Sequence, residues 1–261
     1  MRPTALPFVL ACLVAAPAAA DVTVTATTRG KAPVVGDLNG SQTTRIKGNR
    51  MRIDSVQGDK TSALILDIDG QRMITIDDKK REATIMPGAK LQEALSKTTT
   101  GQVKASVTPT AETKTIAGMS CKVHQVSVEV PFSMGGGGEM AMALVMSGPA
   151  CLSKDAPGYA DYQRLYTAVA EKGFILGDPR SAQGPGAAMA KGMANFQKTM
   201  AAAGVALDQS MHAELKGEGP MAGVMGRFFK IDSGHVVTKI ETGDLDAAIF
   251  DVPAGYKVKQ N

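Results

Sequence analysis

The sequence predicts a mainly β protein with a helical insertion, built as a curved antiparallel sheet or unclosed β-barrel with helices packed on its concave face. Three observations lead there. From Thr43 to Pro87 the residues Ile46, Met51, Ile53, Leu64, Leu66, Ile68, Ile74, Ile76 and Ile85 recur largely at every second position, mostly with Arg, Thr or Asp between them. That is the period of a half-buried strand. Between about 155 and 205 the apolar spacing changes to that of two amphipathic helices. Alternation then returns, and strands on both sides of a helical insertion favour one sheet with the helices laid on it.

The chain opens with one arginine, a mainly apolar run from Leu6 to Ala16, then Pro17 and Ala18-Ala19-Ala20. A short basic start, an apolar core too short to span as a mature helix and an A-x-A site describe a cleaved secretory signal. Cleavage is expected after Ala20, leaving residues 21–261 as a single domain located in the periplasm or secreted. Val9-Leu10-Ala11 before Cys12 resembles a lipoprotein cleavage site, but the apolar run continues past it, so lipidation at Cys12 stands as the alternative. No later stretch reaches the roughly 20 apolar residues of a membrane span.

The formal charge is only +4, Lys and Arg are scattered among acids, and there is no Trp. Without a basic stripe or stacking aromatics, nucleic acid is not an expected partner. Past the signal only Cys121 and Cys151 remain, a pair that reads as a disulfide in an oxidising compartment. Free or metal-binding thiols are the competing reading.

Taken in order, Val22, Val24 and Ala26 alternate with threonines to give a first strand whose pairing is expected to stop near Thr27, before a Gly- and Pro-containing loop to Ser41. Asp69-Gly70 marks a hairpin in the meander, because such a turn needs positive φ. Pro87-Gly88 breaks the pattern, and Leu91, Ala94 and Leu95 have the spacing of a short helix. Strands resume at Val103 to Val107 and Val126 to Val130. Met140 to Met146 reads as apolar on both faces, which predicts cover on both sides. Asp155-Ala156-Pro157 starts a helix whose face carries Tyr159, Tyr162, Tyr166 and Val169, ending at Lys172-Gly173. A second helix after Gly186 carries the stripe Met189, Met193, Phe196 and Met200 and stops at Gly204. From His212 strands return, and Ala247 to Val252 closes the chain.

The hairpin and third strand of Val56 to Pro87, the run Thr115-Ile116-Ala117-Gly118-Met119-Ser120-Cys121-Lys122-Val123, and the terminal Phe250-Asp251-Val252-Pro253-Ala254-Gly255-Tyr256-Lys257 resemble a family of uncharacterised extracytoplasmic bacterial proteins, a domain of unknown function distantly similar to the lipoprotein carriers LolA and LolB. The resemblance implies an unclosed barrel whose concave side is lidded by helices and can hold an acyl chain. The carriers have pockets rich in aromatics, whereas the helical stripe here is mainly methionine and alanine.

Motifs for chemistry fail one by one. Cys121 and His124 are an odd number of positions apart, which on a strand sends them to opposite faces; a half-buried histidine beside Val126 and Val128 is expected instead. There is no Gly-x-Ser-x-Gly elbow. Gly217-Glu218-Gly219-Pro220-Met221-Ala222 matches a loose dinucleotide pattern, but Pro220 and a strand-like sequence replace the required helix. Asp67-Ile68-Asp69-Gly70 lacks the calcium-loop spacing and reads as a hairpin tip. Asp77-Asp78 before Lys79-Lys80-Arg81 is a solvated turn. No catalytic residue, metal or cofactor is therefore expected, and the protein reads as a non-enzyme.

Methionine is the anomaly, with 15 in the chain. Met140 and Met142 with Met134 and a histidine could form a Cu(I) site, since thioethers are soft ligands. Equally, Met is an adaptable apolar side chain. Met140, Met142 and Met146 share a strand face while Met189, Met193 and Met200 share a helix face, the periods that packing produces. With Tyr162, Tyr166 and Phe196 these residues are the candidate ligand pocket. The expected ligand is a lipid or a lipoprotein acyl chain, bound by a monomer; a structural or interaction module with a peripheral envelope partner, and then a periplasmic Cu(I) binder, are the alternatives.

Overall fold

The computed structural model describes residues 21–32, 36–90, 103–134, 140–172, 196–217, 226 and 229–260. The expected signal segment, Cys12, Met189, Met193 and the helix expected at Leu91 to Leu95 lie outside these residues, although 88–90 are helical. Among the described residues, thirteen strands form one sheet. In chain order they are β1 (Val22–Ala32), β2 (Gly36–Asp37), β3 (Gly40–Lys47), β4 (Arg50–Gln57), β5 (Lys60–Asp67), β6 (Arg72–Asp77), β7 (Glu82–Pro87), β8 (Lys104–Ile116), β9 (Met119–Met134), β10 (Met140–Ser153), β11 (Val205–Gly217), β12 (Lys230–Thr242) and β13 (Lys257–Gln260). The path across the sheet is β13-β7-β6-β5-β4-β3-β1-β12-β11-β10-β9-β8, with β2 beside β1. The sheet is thus curved and unclosed, and antiparallel except where β13 runs parallel to β7.

The meander from β3 to β7 forms as its alternation predicts, but the sequence pattern reads as one buried face and the structure divides it between two. Cross-strand pairing sets Ile46, Met51, Leu66, Met73 and Met86 side by side in one row. That row packs against Leu165 and Val169 of the helix α1 (Tyr159–Lys172). Ile65 pairs with Ile74 and Ala63 with Ile76 on the opposite face, where Ile85 joins them under Phe250. The parity changes at the hairpin, because turn length sets which face each returning residue takes. The turn itself differs from expectation: positive φ falls on Gln71, at 47°, not on Gly70. Gly70 is required for space, since a Cβ there would lie 2.3 Å from Asp67 Oδ2. Buried Asp67 accepts the Gly70 N–H at 2.8 Å and the Arg72 Nε–H at 2.9 Å, so its charge is met by the Arg72 guanidinium.

Elsewhere strands run longer than the sequence indicates. β1 pairs with β12 as far as Lys31, well past Thr27, and β11 begins at Val205, immediately after Gly204, not at His212. The segments at Val103 and Val126 belong to two long strands, β8 and β9, joined by Ala117-Gly118 with both residues at positive φ, the geometry of a two-residue hairpin. Between Met142 and Met146, β10 is buried on the Met142 and Leu144 side. Val145, on its other face, pairs with Glu129 and Glu214, and among the described residues that stretch is only partly covered. The closing segment is not a strand: Ala247–Phe250 is a 3-10 turn capped by Asp246, whose carboxylate accepts the Ala248 N–H.

Gly148 marks a close approach of β10 to β11. A Cβ there would sit 1.9 Å from the Ser210 carbonyl oxygen of β11, and one at Gly30 would sit 2.3 Å from the Asp232 carbonyl of β12. Gly148→Ala must push a backbone carbonyl aside, so a loss of about 2 to 3 kcal/mol is expected in urea unfolding. An unchanged midpoint would mean that β10 and β11 separate here in solution.

Candidate functional site

Two helical elements meet over the middle of the sheet. α1 starts where Gly158 lies flat on β1, in the left-handed region at φ 77°; a Cβ there would come 2.1 Å from Val22 Cγ2. The segment 196–203 is helical and ends at Gly204, whose N–H returns to the Met200 carbonyl at 3.0 Å. Tyr159 Oη donates to the Ala202 carbonyl at 3.1 Å and ties the start of the first element to the end of the second.

Between these elements and strands β1, β3, β4, β11 and β12 is a cavity of about 270 Å³. Its apolar wall comes from Val24, Ala26, Ile53, Val205, Ala206 and Val237 on the sheet, with Tyr162, Tyr166, Phe196, Met200 and Ala201 on the helices. The polar lining is Gln42, Thr44, Gln197, Gln209 and His235. Val24 faces Thr44 across β1 and β3, and Ala26 faces both Gln42 and Val237, so small or short side chains meet at the floor and leave the space unfilled.

Four of the nine residues expected in a pocket line this cavity: Tyr162, Tyr166, Phe196 and Met200. Met142 and Met146 do not. They pack in a cluster with Val128, Val130, Leu144 and Leu152, into which Phe196 and Met200 also reach from the helical side. Met142 keeps only 3% of its surface there, so its thioether acts as filling. The side chain of Met140, like Met189 and Met193, lies outside the described ones. Sequence reading missed the floor, Val24, Ala26, Thr44 and Val237. It also missed His235 and the glutamines, because pocket status depends on which strands become neighbours across more than 200 positions, as Val22 and Thr242 do.

The tyrosine rings stack tilted, 5.8 Å between centroids. Each keeps some surface at the cavity, yet surrounding protein desolvates both phenols: Tyr166 is pushed up to about 12 and Tyr162 higher still, with the neighbouring Tyr166 adding to its burial. Both therefore stay neutral at physiological pH.

His235 is lowered from 6.5, first by burial; the Ala206 carbonyl, 3.4 Å from Nε2, and the Asp208 carboxylate pull the other way. At neutral pH it is an uncharged imidazole with Nε2–H directed at Ala206. Since the folded value lies below the unfolded one, nothing is lost above pH 6.5, and stability falls as pH drops from there through the folded value. His235→Gln is expected to flatten the fall in urea midpoints as pH drops below about 6.5. An equally steep fall in the variant would assign it elsewhere.

Of the other sequence candidates, Cys121 and Cys151 are joined, with Cα atoms 5.3 Å apart. His124 is half-buried, with Nδ1 2.9 Å from the Lys122 carbonyl. Among the described residues no group of three His, Cys, Asp or Glu is placed to hold a metal ion, and no helix is long and apolar enough to cross a membrane.

No family model matches the chain, and no curated protein matches it. Among solved structures, an uncharacterised conserved protein from Thermus thermophilus is similar over 93% of this chain and 91% of its own, at 9% identity and a TM-score of 0.38. PNGF-II is similar over 93% of this chain and 31% of its own, at 9% identity and a TM-score of 0.37. Likenesses this slight bear on neither activity nor ligand.

Proposed function

We propose that this protein is an exported, non-enzymatic binder of an apolar chain, such as the acyl chain of a lipid or lipoprotein, held between sheet and helices. The observation that supports the reading is the cavity of about 270 Å³ beneath Tyr162, Tyr166, Phe196 and Met200. It lies just under the ~300 to 1,000 Å³ usual for ligand sites and well above the ~150 Å³ that suffices for benzene. Binding would draw on buried apolar area at about 25 cal/mol per Å². A chain longer than the space needs the helices to shift, which their link through Tyr159 and Ala202 would restrain. The resemblance to LolA and LolB supports the same class of ligand.

The test is native mass spectrometry of the exported protein, with organic extraction of whatever leaves it, repeated on Ala201→Phe. Ala201 is 4% exposed and lines the cavity, so the ring is aimed at the vacant space. The wild type is expected to carry extractable lipid and to bind the uncharged dye N-phenylnaphthylamine; Ala201→Phe is expected to bind it about ten-fold more weakly with unchanged or higher stability. A clean apo mass together with no dye uptake sinks the reading. A variant destabilised by about 1 to 3 kcal/mol would point to a filled core instead.

A further inference from the structure

We infer that the cavity selects an uncharged amphiphile, a single alkyl or acyl chain ending in a hydroxyl, ester or amide, over one ending in a carboxylate or an ammonium group. This rests on the binding reading above and specifies its ligand class.

None of the described residues lining the cavity is Asp, Glu, Lys or Arg. The one ionisable base, His235, is uncharged at neutral pH with Nε2–H turned to the Ala206 carbonyl. What remains is a set of dipoles. Gln42 Nε2 donates to Thr44 Oγ1 at 3.2 Å, leaving the Gln42 carbonyl free of that bond, and Gln197 and Gln209 bring further amides to the same space. Amides and phenols both donate and accept, so they can satisfy a hydroxyl or an ester carbonyl. A carboxylate entering there would lose its hydration and meet no cation, a penalty that partial hydrogen bonding offsets poorly. An ammonium group would likewise find no carboxylate in the lining; Asp208, whose charge reaches His235, is not part of it. The apolar stretch of the ligand lies against Val24, Ile53 and Phe196, and its polar end against Gln209 and His235.

The test compares octanol with octanoate, which share chain length and differ in charge, by isothermal titration calorimetry of the full mature protein near neutral pH. Octanol is expected to bind about ten-fold more tightly or better, since only the anion leaves a charge unpaired. In Gln209→Lys, where a cation lines the cavity, octanoate is expected to gain relative to octanol. Octanoate binding as tightly as octanol in the wild type would overturn the selectivity while leaving the binding reading in place. If neither probe binds, the binding reading fails and the selectivity falls with it. Should Gln209→Lys not fold, the wild-type comparison decides alone.

Discussion

Phe250→Ala is expected to cost about 3 to 5 kcal/mol of stability, as full truncation of a buried aromatic ring does. Phe250 has no exposed surface and is the centre of the layer that covers the second face of β5 to β7, against Ala63, Ile65, Ile74, Ile76 and Ala83. The segment around it is fastened at several points. Arg52 Nη1 donates to the Ile249 carbonyl at 2.9 Å, Arg72 Nη2 to Asp251 at 3.0 Å, and Tyr256 Oη to Asp78 at 2.9 Å. The Arg50 guanidinium lies 5.2 Å from the Phe250 ring centroid, and Lys257 N–H reaches the Arg81 carbonyl before β13 pairs with β7. With both ends held, the segment cannot settle into the space the ring leaves, so the loss belongs in the upper half of that range. Urea unfolding followed by circular dichroism measures it. A loss under about 1 kcal/mol would show that the closing segment is not docked on the sheet in solution.

That layer also shows what sequence can and cannot reveal. Strand character was legible from β3 to β7, because each strand there alternates and each is bounded by a turn signal. That Ile74 and Ile76 take the face opposite Leu66 was not: it depends on the connection 68–71, where the positive φ falls on Gln71, which is not a residue that marks turns. Nor could alternation show that β5 and β6 are covered twice, since the cover comes from Phe250, more than 170 positions along the chain from Ile76.

For the candidate site the helical half was legible and the sheet half was not. Tyr162, Tyr166, Phe196 and Met200 follow from helical spacing alone, although Leu165, the fully buried residue between the tyrosines, fell outside the stripe of tyrosines and valine that was read. Met142 and Met146 share a strand face as their period requires, but the helical segment fills against them. The open space lies over β1 and β12, whose side chains are the shorter Val24, Ala26 and Val237. A cavity is the difference between two surfaces, and the sequence describes each surface separately. His235 illustrates the limit: its alternation with Val237 places it on a face, but its charge is decided by burial under elements distant in sequence, opposed by Ala206 and Asp208 on β11.

Replacing Cys121 and Cys151 together by alanine is expected to lower stability by about 3 to 4 kcal/mol, the loop-entropy effect of freeing a chain segment of this length. The two are 30 positions apart, on β9 and β10. Those strands are already paired from Leu152 and Lys122 to Met140 and Met134, with Val123 opposite Cys151, so the ladder does not need the bond to find its register. The bond therefore acts mainly on the unfolded chain, by denying it extended states. Two further results follow. The unlinked variant exposes more surface on unfolding, and its denaturant slope should rise as its midpoint falls. Both cysteines are also nearly inaccessible, at 3% and 2% exposure, so a thiol reductant should leave the folded protein intact and cut the bond only once denaturant opens β9 and β10. An unchanged slope with a lowered midpoint would instead place the effect in the folded state, in the packing of the two sulfurs among Val22, Val205 and Leu207. Fast reduction without denaturant would show that this end of the sheet opens on its own.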